Sequence, residues 1–325
     1  MRDGRDEDAV GFIALISACW AEYPDCVFDL DGEVPELRAL ATYFRAKGGA
    51  LWVAEDGGRI AGMVGVSPSG PPGTWEIGKL YVDRALRARG VAAALLARAE
   101  GHARAAGATR LELWSDTRFE RAHAFYEKHG FVRMGPIRAL GDKSNSIEFH
   151  YDKPVDGVAI LNAAGAISAV RPLAALLSAC VNAGAALSFL APLETDAAER
   201  YWRRVAKQVA AGERILLAGW RDGVLAGTVH LDLATPPDQR HRAEVKKLAV
   251  LPGARSRGLG RELMWQAEQA ARDAGRELLS LNARAGAAAE HLYRGLGWSE
   301  GGRLPGFTRD ADGTYADTLV FWKRV

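Results

Sequence analysis

The chain has 325 residues, of which 48% are hydrophobic and 25% charged, a composition typical of globular proteins. Its 42 basic residues nearly balance its 40 acidic residues, so no global basic field favours nucleic acid or an anionic membrane as a partner. At roughly 150 residues per domain, the length favours two domains.

The first residues and the three cysteines indicate the compartment and the redox state that we expect for the protein. Residues 1–8 carry no apolar stretch behind a basic start, and no segment approaches the ~20 apolar residues of a membrane helix. Cys19, Cys26 and Cys180 show no zinc-ligand spacing and lie far in sequence from the motifs described below. We therefore expect a cytoplasmic protein with reduced thiols, no metal site and no covalent cysteine nucleophile.

The predicted elements of the N-terminal half follow one another at short intervals. Two strands joined by a turn are followed by a third strand, a helix that stops at Gly107, a fourth strand, a short helix and closing strands. Their predicted bounds are 51–54 and 59–66 for the paired strands, Val82 for the end of the third strand, 91–106 for the helix and 110–114 for the fourth strand.

The C-terminal half repeats this order. Arg255 follows Arg87 at an offset of 168 residues, and Tyr293 follows Tyr126 at an offset of 167. The counterpart elements are predicted at 215–220, 224–232, a strand ending at Val250, 259–274 and 278–282. The repeat predicts one mixed-sheet α/β domain per half, at residues 1–155 and 156–325, with the boundary where Pro and Gly interrupt the pattern at 153–157.

Each half carries an Arg-x-Arg-Gly loop between a strand and a helix. Amides in the first turn of a helix lack intrahelical partners, and with the helix dipole they form an anion site. Glycine lets backbone approach a diphosphate closely, and arginines add charge-assisted contacts. The candidate anion-binding residues are Arg87, Arg89, Gly90, Val91 and Ala92 in the first half and Arg255, Arg257, Gly258, Leu259 and Gly260 in the second. The pattern matches neither a nucleotide P-loop nor a dinucleotide fingerprint.

Residues 250–260, with the later Leu-Tyr-x-x-x-Gly-Trp of 292–298, resemble the acetyl-CoA loop and second signature of GNAT acetyltransferases. The resemblance spans both halves and implies acetyl-CoA as a substrate held by two GNAT-like domains. It further implies that one strand in each half pairs its backbone with pantetheine, at Leu80, Tyr81 and Val82 and at Leu248, Ala249 and Val250. The first loop departs from the second at Arg84, which replaces Pro252, and at Ala92.

The C-terminal half also resembles the tabtoxin-resistance type of acetyltransferase, through residues 183–193, 241–248 and 306–318. It departs from that type at 281–283, where Leu-Asn-Ala replaces the usual Leu-Asp-Thr. The tandem layout also resembles that of mycothiol synthase.

Acetyl transfer to an amine requires a base for the ammonium proton and an acid for the leaving thiolate. The family places such an acid where Tyr126 and Tyr293 stand, although packing beside the following glycine and aromatic residue would also explain these tyrosines. Glu76 and Glu244 occupy equivalent strand positions and are candidates for the base or for binding a cationic substrate; exposed, ion-paired glutamates are the alternative. His123 and Asp116 are weaker candidates, and Trp75, Trp114, Trp202 and Trp220 are expected in the core.

The leading hypothesis is an N-acetyltransferase that acts on a primary amine of a small molecule by direct attack in a ternary complex. One alternative makes one half a non-catalytic module that binds acyl-CoA or only dimerises. Another makes the acceptor a protein lysine or N-terminus. Expected partners are acetyl-CoA and the amine, with a homodimer also compatible with the sequence.

Overall fold

The computed structural model describes all residues from Met1 to Val325, and the chain divides into two compact units. The first unit comprises Met1–Tyr126 and Arg133–Val155, and the second comprises Glu127–Val132 and Asp156–Val325. None of the helices is both long and apolar enough to cross a bilayer.

The chain up to Val155 contains seven strands and four α-helices, all in the first unit except the last residues of α4 and the first residue of β6. Their bounds are β1 Arg2–Asp3, α1 Ala9–Trp20, α2 Leu40–Ala46, β2 Ala50–Asp56, β3 Arg59–Pro68, β4 Thr74–Val82, α3 Val91–Ala105, β5 Arg110–Asp116, α4 Glu120–Lys128, β6 Val132–Ala139 and β7 Ile147–Pro154. The strands form one mixed sheet in the order β1-β2-β3-β4-β5-β7-β6. The pairs β1–β2, β2–β3, β3–β4 and β5–β7 are antiparallel, whereas β4 and β5, which are connected through the crossover helix α3, pair in parallel.

The second unit repeats this plan with seven strands and five α-helices. Their bounds are β8 Gly157–Leu161, α5 Ala163–Ser168, α6 Val170–Asn182, α7 Thr195–Ala210, β9 Arg214–Arg221, β10 Val224–Asp232, β11 Arg242–Val250, α8 Leu259–Asp273, β12 Leu278–Arg284, α9 Ala288–Gly295, β13 Ser299–Arg309 and β14 Tyr315–Arg324. The sheet order is β13-β14-β12-β11-β10-β9-β8, again with a single parallel pair, β11 and β12.

The two parallel pairs are short and then open. Strands β4 and β5 pair only from Thr74 to Glu76, and β11 and β12 pair only from Arg242 to Glu244. Beyond these residues no backbone hydrogen bonds join the two strands, so each sheet splits toward the carboxyl end of β4 or β11. The residues predicted to pair with the cofactor, 80–82 and 248–250, lie along one side of this split.

Apolar burial holds the crossover helix of the second unit against its sheet. Leu263, Met264 and Ala267 of α8 are fully buried in a core with Val229 and Leu281 from the strands below. Burial at roughly 25 cal/mol per Å² makes this face the main stabilising contribution of the helix. The helix packs close to the sheet at Gly219 and Gly227, which have no side chain. A Cβ at either glycine would lie only 2.8 Å from a leucine side chain of α8.

These elements confirm the predicted fold class of two mixed-sheet α/β domains. The central strands and both crossover helices lie within two residues of their predicted bounds. Two strands lay outside the prediction: β1 is only two residues long, and β8 begins at Gly157, inside the segment predicted as a linker. β8 pairs antiparallel with β9 and extends the second sheet by one edge strand.

Candidate active site

The opening between β11 and β12 forms a cleft of about 970 Å³ in the second unit. Most of the site residues predicted for this half meet along its wall. They are Glu244, Leu248, Ala249, Val250, Arg255, Gly258, Gly260 and Tyr293. Arg257 and Leu259 are outside the lining; Leu259 is buried in the core and fixes the first turn of α8.

A bulge in β11 disturbs the wall of this cleft. Ala249 pairs with Thr228 and Lys246 pairs with His230, so Lys247 and Leu248 together face one residue of β10. Lys247 takes a left-handed φ of 55°, a conformation that a non-glycine residue rarely adopts without a local reason. The bulge leaves backbone groups outside the ladder at the point where the strand borders the cleft.

The loop at one end of the cleft has the geometry of an anion site. Gly258 caps α8 with a φ of 83°, and a Cβ at this position would meet no atom within 4 Å. Nε of Arg255 donates to the carbonyl oxygen of Val250 at 3.1 Å, and no carboxylate pairs with its guanidinium. Arg257 forms only an exposed pair with Asp222 at 2.9 Å, which costs little to break. Amides, helix dipole and an arginine without a counter-ion therefore face open space.

Tyr293 lies at the other wall of the cleft, on α9. Its ring packs at centroid distances of 6.1 Å from Trp298 and 5.8 Å from Phe321, so the predicted packing role is present. Its hydroxyl makes no hydrogen bond within the protein. Burial raises the pKa of Tyr293 to about 12, so the phenol keeps its proton at neutral pH.

A charged network borders the same cleft beyond Glu244. Nζ of Lys246 lies 3.0 Å from Glu244 and 2.9 Å from Asp232, and Asp232 also accepts from Arg214 at 3.0 Å. The fully buried His230 lies beneath, with the Tyr201 hydroxyl 2.8 Å from its Nε2. Burial, followed by the charge of Arg214, lowers the pKa of His230 well below its usual value, which leaves the ring neutral.

The corresponding opening in the first unit is far smaller, at about 140 Å³. Of the residues predicted to bind the cofactor or to act as acid or base, Leu80, Tyr81, Tyr126 and the weaker candidate Asp116 line it. Val82, Arg87, Arg89, Gly90, Val91 and Ala92 lie outside its lining, although Gly90 caps α3 with the same left-handed φ as Gly258. The buried Tyr81 hydroxyl accepts from Nε1 of Trp20 at 2.9 Å, and this contact fills space beside β4.

Carboxylates of the first unit occupy two cationic positions that are open in the second. Arg87 donates two hydrogen bonds of 2.6 Å to Glu22, and Lys79 pairs with Glu36 at 2.8 Å. The residue that corresponds to Glu22 is Ala183, since each lies three positions after an equivalently placed cysteine. Of the two arginines in the predicted anion loop of the first unit, Arg87 is thus already paired with a carboxylate of its own chain.

The weaker candidates of the first unit have structural partners. Nε2 of His123 lies 2.9 Å from the backbone oxygen of Asp116, and burial lowers the pKa of this histidine. Burial opposes ionisation of Asp116, but hydrogen bonds from Arg118 outweigh it and lower the pKa of the carboxyl. Glu76 does not line the cleft, and burial raises its pKa. Trp114, expected in the core, instead borders the cleft under the guanidinium of Arg138 at 3.9 Å.

The cysteines lie closer to the loops than the sequence indicated. Sγ of Cys19 contacts the oxygen of Val82, and Sγ of Cys180 contacts the oxygen of Val250 at 3.4 Å. Burial raises the pKa of both thiols, so neither is a ready nucleophile. An extension of the internal repeat upstream would have paired these two cysteines, whose offset of 161 residues is close to that of the loops.

Comparison with known proteins gives one family. The model of the acetyltransferase (GNAT) family matches residues 9–131 and 185–298. An uncharacterized N-acetyltransferase from the hisH-hisA intergenic region of Azospirillum brasilense is 37% identical over 106 residues, 32% of this chain. Human N-acetyltransferase 8 is 31% identical over 120 residues, 36% of this chain. The chain spans 61% and 51% of the lengths of these two relatives.

Solved structures with a similar backbone each cover about half of the chain. The ribosomal-protein-alanine N-acetyltransferase of Brucella melitensis covers 52% of this chain and 99% of its own, with 22% identity and a TM-score of 0.45. The structure of yncA from Salmonella typhimurium with its cofactor acetyl-CoA covers 52% and 94%, with 17% identity and a TM-score of 0.44.

Proposed function

Because the chain belongs to the GNAT acetyltransferase family, we propose that it transfers the acetyl group of acetyl-CoA to a primary amine of a small molecule in the cleft of its second unit. The observation that carries this proposal is the open cleft with an unneutralised anion loop at one end and the unpartnered Tyr293 hydroxyl on its wall. The proposed domain boundary between residues 155 and 156 assigns the whole of this cleft to the C-terminal domain.

The residues of the cleft fit acetyl-CoA. Amides from Arg255 to Gly260 would hold the pyrophosphate, for which the open space at Gly258 leaves room. The backbone of Leu248, Ala249 and Val250 would pair with the pantetheine arm, since β11 has no ladder to β12 there. This arrangement would leave the thioester near the bulge at Lys247.

The chain's own groups would serve the two proton transfers. The amine nitrogen bonds to the acetyl carbon, the C–S bond breaks, the ammonium loses a proton and the thiolate gains one. Glu244 would take the amine proton through water or hold a cationic acceptor. The Tyr293 hydroxyl would donate to the sulfur as its charge develops, an interaction that appears only during the reaction.

We propose that the first unit is a non-catalytic module, as in the alternative hypothesis that assigns catalysis to one half only. The Arg87–Glu22 pair neutralises one arginine of its loop, and its cleft has a volume of about 140 Å³, against about 970 Å³ in the second unit. Under this proposal Tyr126 and Glu76 are structural residues. We further propose that the second unit is of the tabtoxin-resistance type, from which it departs at Leu281-Asn282-Ala283.

The test is a screen of amino acids, polyamines and amine antibiotics with acetyl-CoA, read by release of free thiol. Turnover of at least one amine, abolished by Gly258→Asp, is expected. If no amine releases thiol while histone or ribosomal peptides do, the acceptor is a protein and the small-molecule proposal is wrong.

A further inference from the structure

The side chain of Lys247 occupies an unusual position in the second cleft. It lines the cleft, half-buried, with Nζ 5.3 Å from the ring centroid of Phe189 and 5.6 Å from that of Tyr201. No carboxylate pairs with it, since Asp232 and Glu244 are both engaged by Lys246. Lys247 is therefore a cation with aromatic neighbours and no counter-ion.

Its surroundings have a local excess of positive charge. Lys246, Lys247 and Arg214 line this part of the cleft, and Nε of Arg214 is a buried donor without an acceptor. Burial, together with the charges of Lys246 and Arg214, lowers the pKa of Lys247 to about 8. The attraction of an incoming anion would offset the free energy that it costs to hold this cation away from water.

The first unit shows which kind of anion this position accepts. Lys79 stands at the same bulge, with a φ of 54° against 55° at Lys247. There Oε1 of Glu36 lies 2.8 Å from Nζ of Lys79, and both side chains are mostly buried. The repeated fold thus has a carboxylate on this lysine in one copy and open cleft in the other.

We propose that Lys247 binds a carboxylate of the acceptor, so that the substrate of the second unit is an amine that also carries a carboxyl group, as an amino acid does. This inference rests on the proposed function of the cleft. Lys247 lies about 10 Å along β11 from Val250, where the phosphate loop begins. The two anion sites are therefore separate, and an acceptor at Lys247 would not compete with the pyrophosphate.

The experiment compares the full-length protein with Lys247→Met, which removes the ammonium and keeps the length of the side chain. Amino acids and their amides are supplied as paired acceptors at saturating acetyl-CoA, and kcat and KM are measured by thiol release. We expect the wild type to prefer the acids, and Lys247→Met to reduce that preference ~10- to 100-fold through KM. The matched control Lys79→Met should leave the preference unchanged. An equal preference in the wild type and Lys247→Met, or a wild-type preference for the amides, would overturn the inference while leaving acetyl transfer intact.

A second readout does not depend on turnover. Lysines labelled by reductive ¹³C-methylation give resolved NMR signals, and the signal lost in Lys247→Met identifies Lys247. Titration with succinate should shift this signal, and titration with succinamide should not. If acetyl transfer fails but the succinate shift is present, the proposed function is wrong and the anion site stands. If succinate leaves the signal in place, the anion site is wrong.

Discussion

The contrast between Glu22 and Ala183 gives a substitution that should close the second anion loop. Ala183→Glu would place beside Arg255 the carboxylate that Glu22 places beside Arg87. Hydrogen bonds to a charged group contribute ~1.5–3 kcal/mol, and the side chains of the Arg87–Glu22 pair are only 30% and 21% exposed. Because a phosphate must displace this carboxylate, we expect acetyl-CoA to bind ~10- to 150-fold more weakly.

Isothermal titration calorimetry of the intact chain with acetyl-CoA measures this loss. Ala183→Gln is the matched control, since it adds nearly the same volume without the charge, and it should retain affinity within ~3-fold. The reciprocal change Glu22→Ala should free Arg87, with at most a weak second site because the first cleft stays small. Equal losses from Ala183→Glu and Ala183→Gln would show that bulk, not charge, closes the loop and would refute the reasoning.

Three further changes test the same cleft. Saturating acetyl-CoA at 100 times its Kd should stabilise the protein by ~2.7 kcal/mol, seen as a rise in Tm; an unchanged melt would contradict binding. Gly258→Asp should abolish binding in the second unit, whereas Gly258→Asn, which tolerates the same left-handed backbone without charge, should retain more of it. Tyr293→Phe should lower kcat ~10²-fold with little change in Tm, because its hydroxyl bonds to no protein group; normal turnover would make the tyrosine a packing residue only. Since the pKa of Tyr293 is about 12, loss of its proton should produce no fall in rate below about pH 10.

The loops and crossover helices could be predicted because their signals are local. A glycine before an apolar helical repeat specifies both the cap of α8 and the face that packs, within a window of fifteen residues. The internal repeat then supplied the second copy of every central element. The edge strands gave weaker signals because few residues contribute to them.

The difference between the two clefts could not be predicted in this way. It depends on pairs that are distant in sequence, since Arg87 and Glu22 are 65 residues apart and Lys79 and Glu36 are 43 apart. Such charges come together only when the backbone folds. From its sequence context alone, each glutamate would be predicted to be an exposed surface residue. The same holds for Cys180, whose contact with Val250 joins α6 to the end of β11.

The short ladder between β11 and β12 has a consequence for backbone dynamics. Only Arg242, Ala243 and Glu244 have partners across that line, so the amides that face β12 farther along the strand lie in the middle of a sheet without a ladder. Such amides are not hydrogen-bonded across the sheet, so water reaches them without local unfolding. Their hydrogens should therefore exchange with deuterium far faster than those of the flanking ladders. A bound arm that accepts from these amides would slow exchange there while leaving the edge strands as they were. The slow-exchange boundary would then move along β11 and mark, residue by residue, how far the occupant reaches.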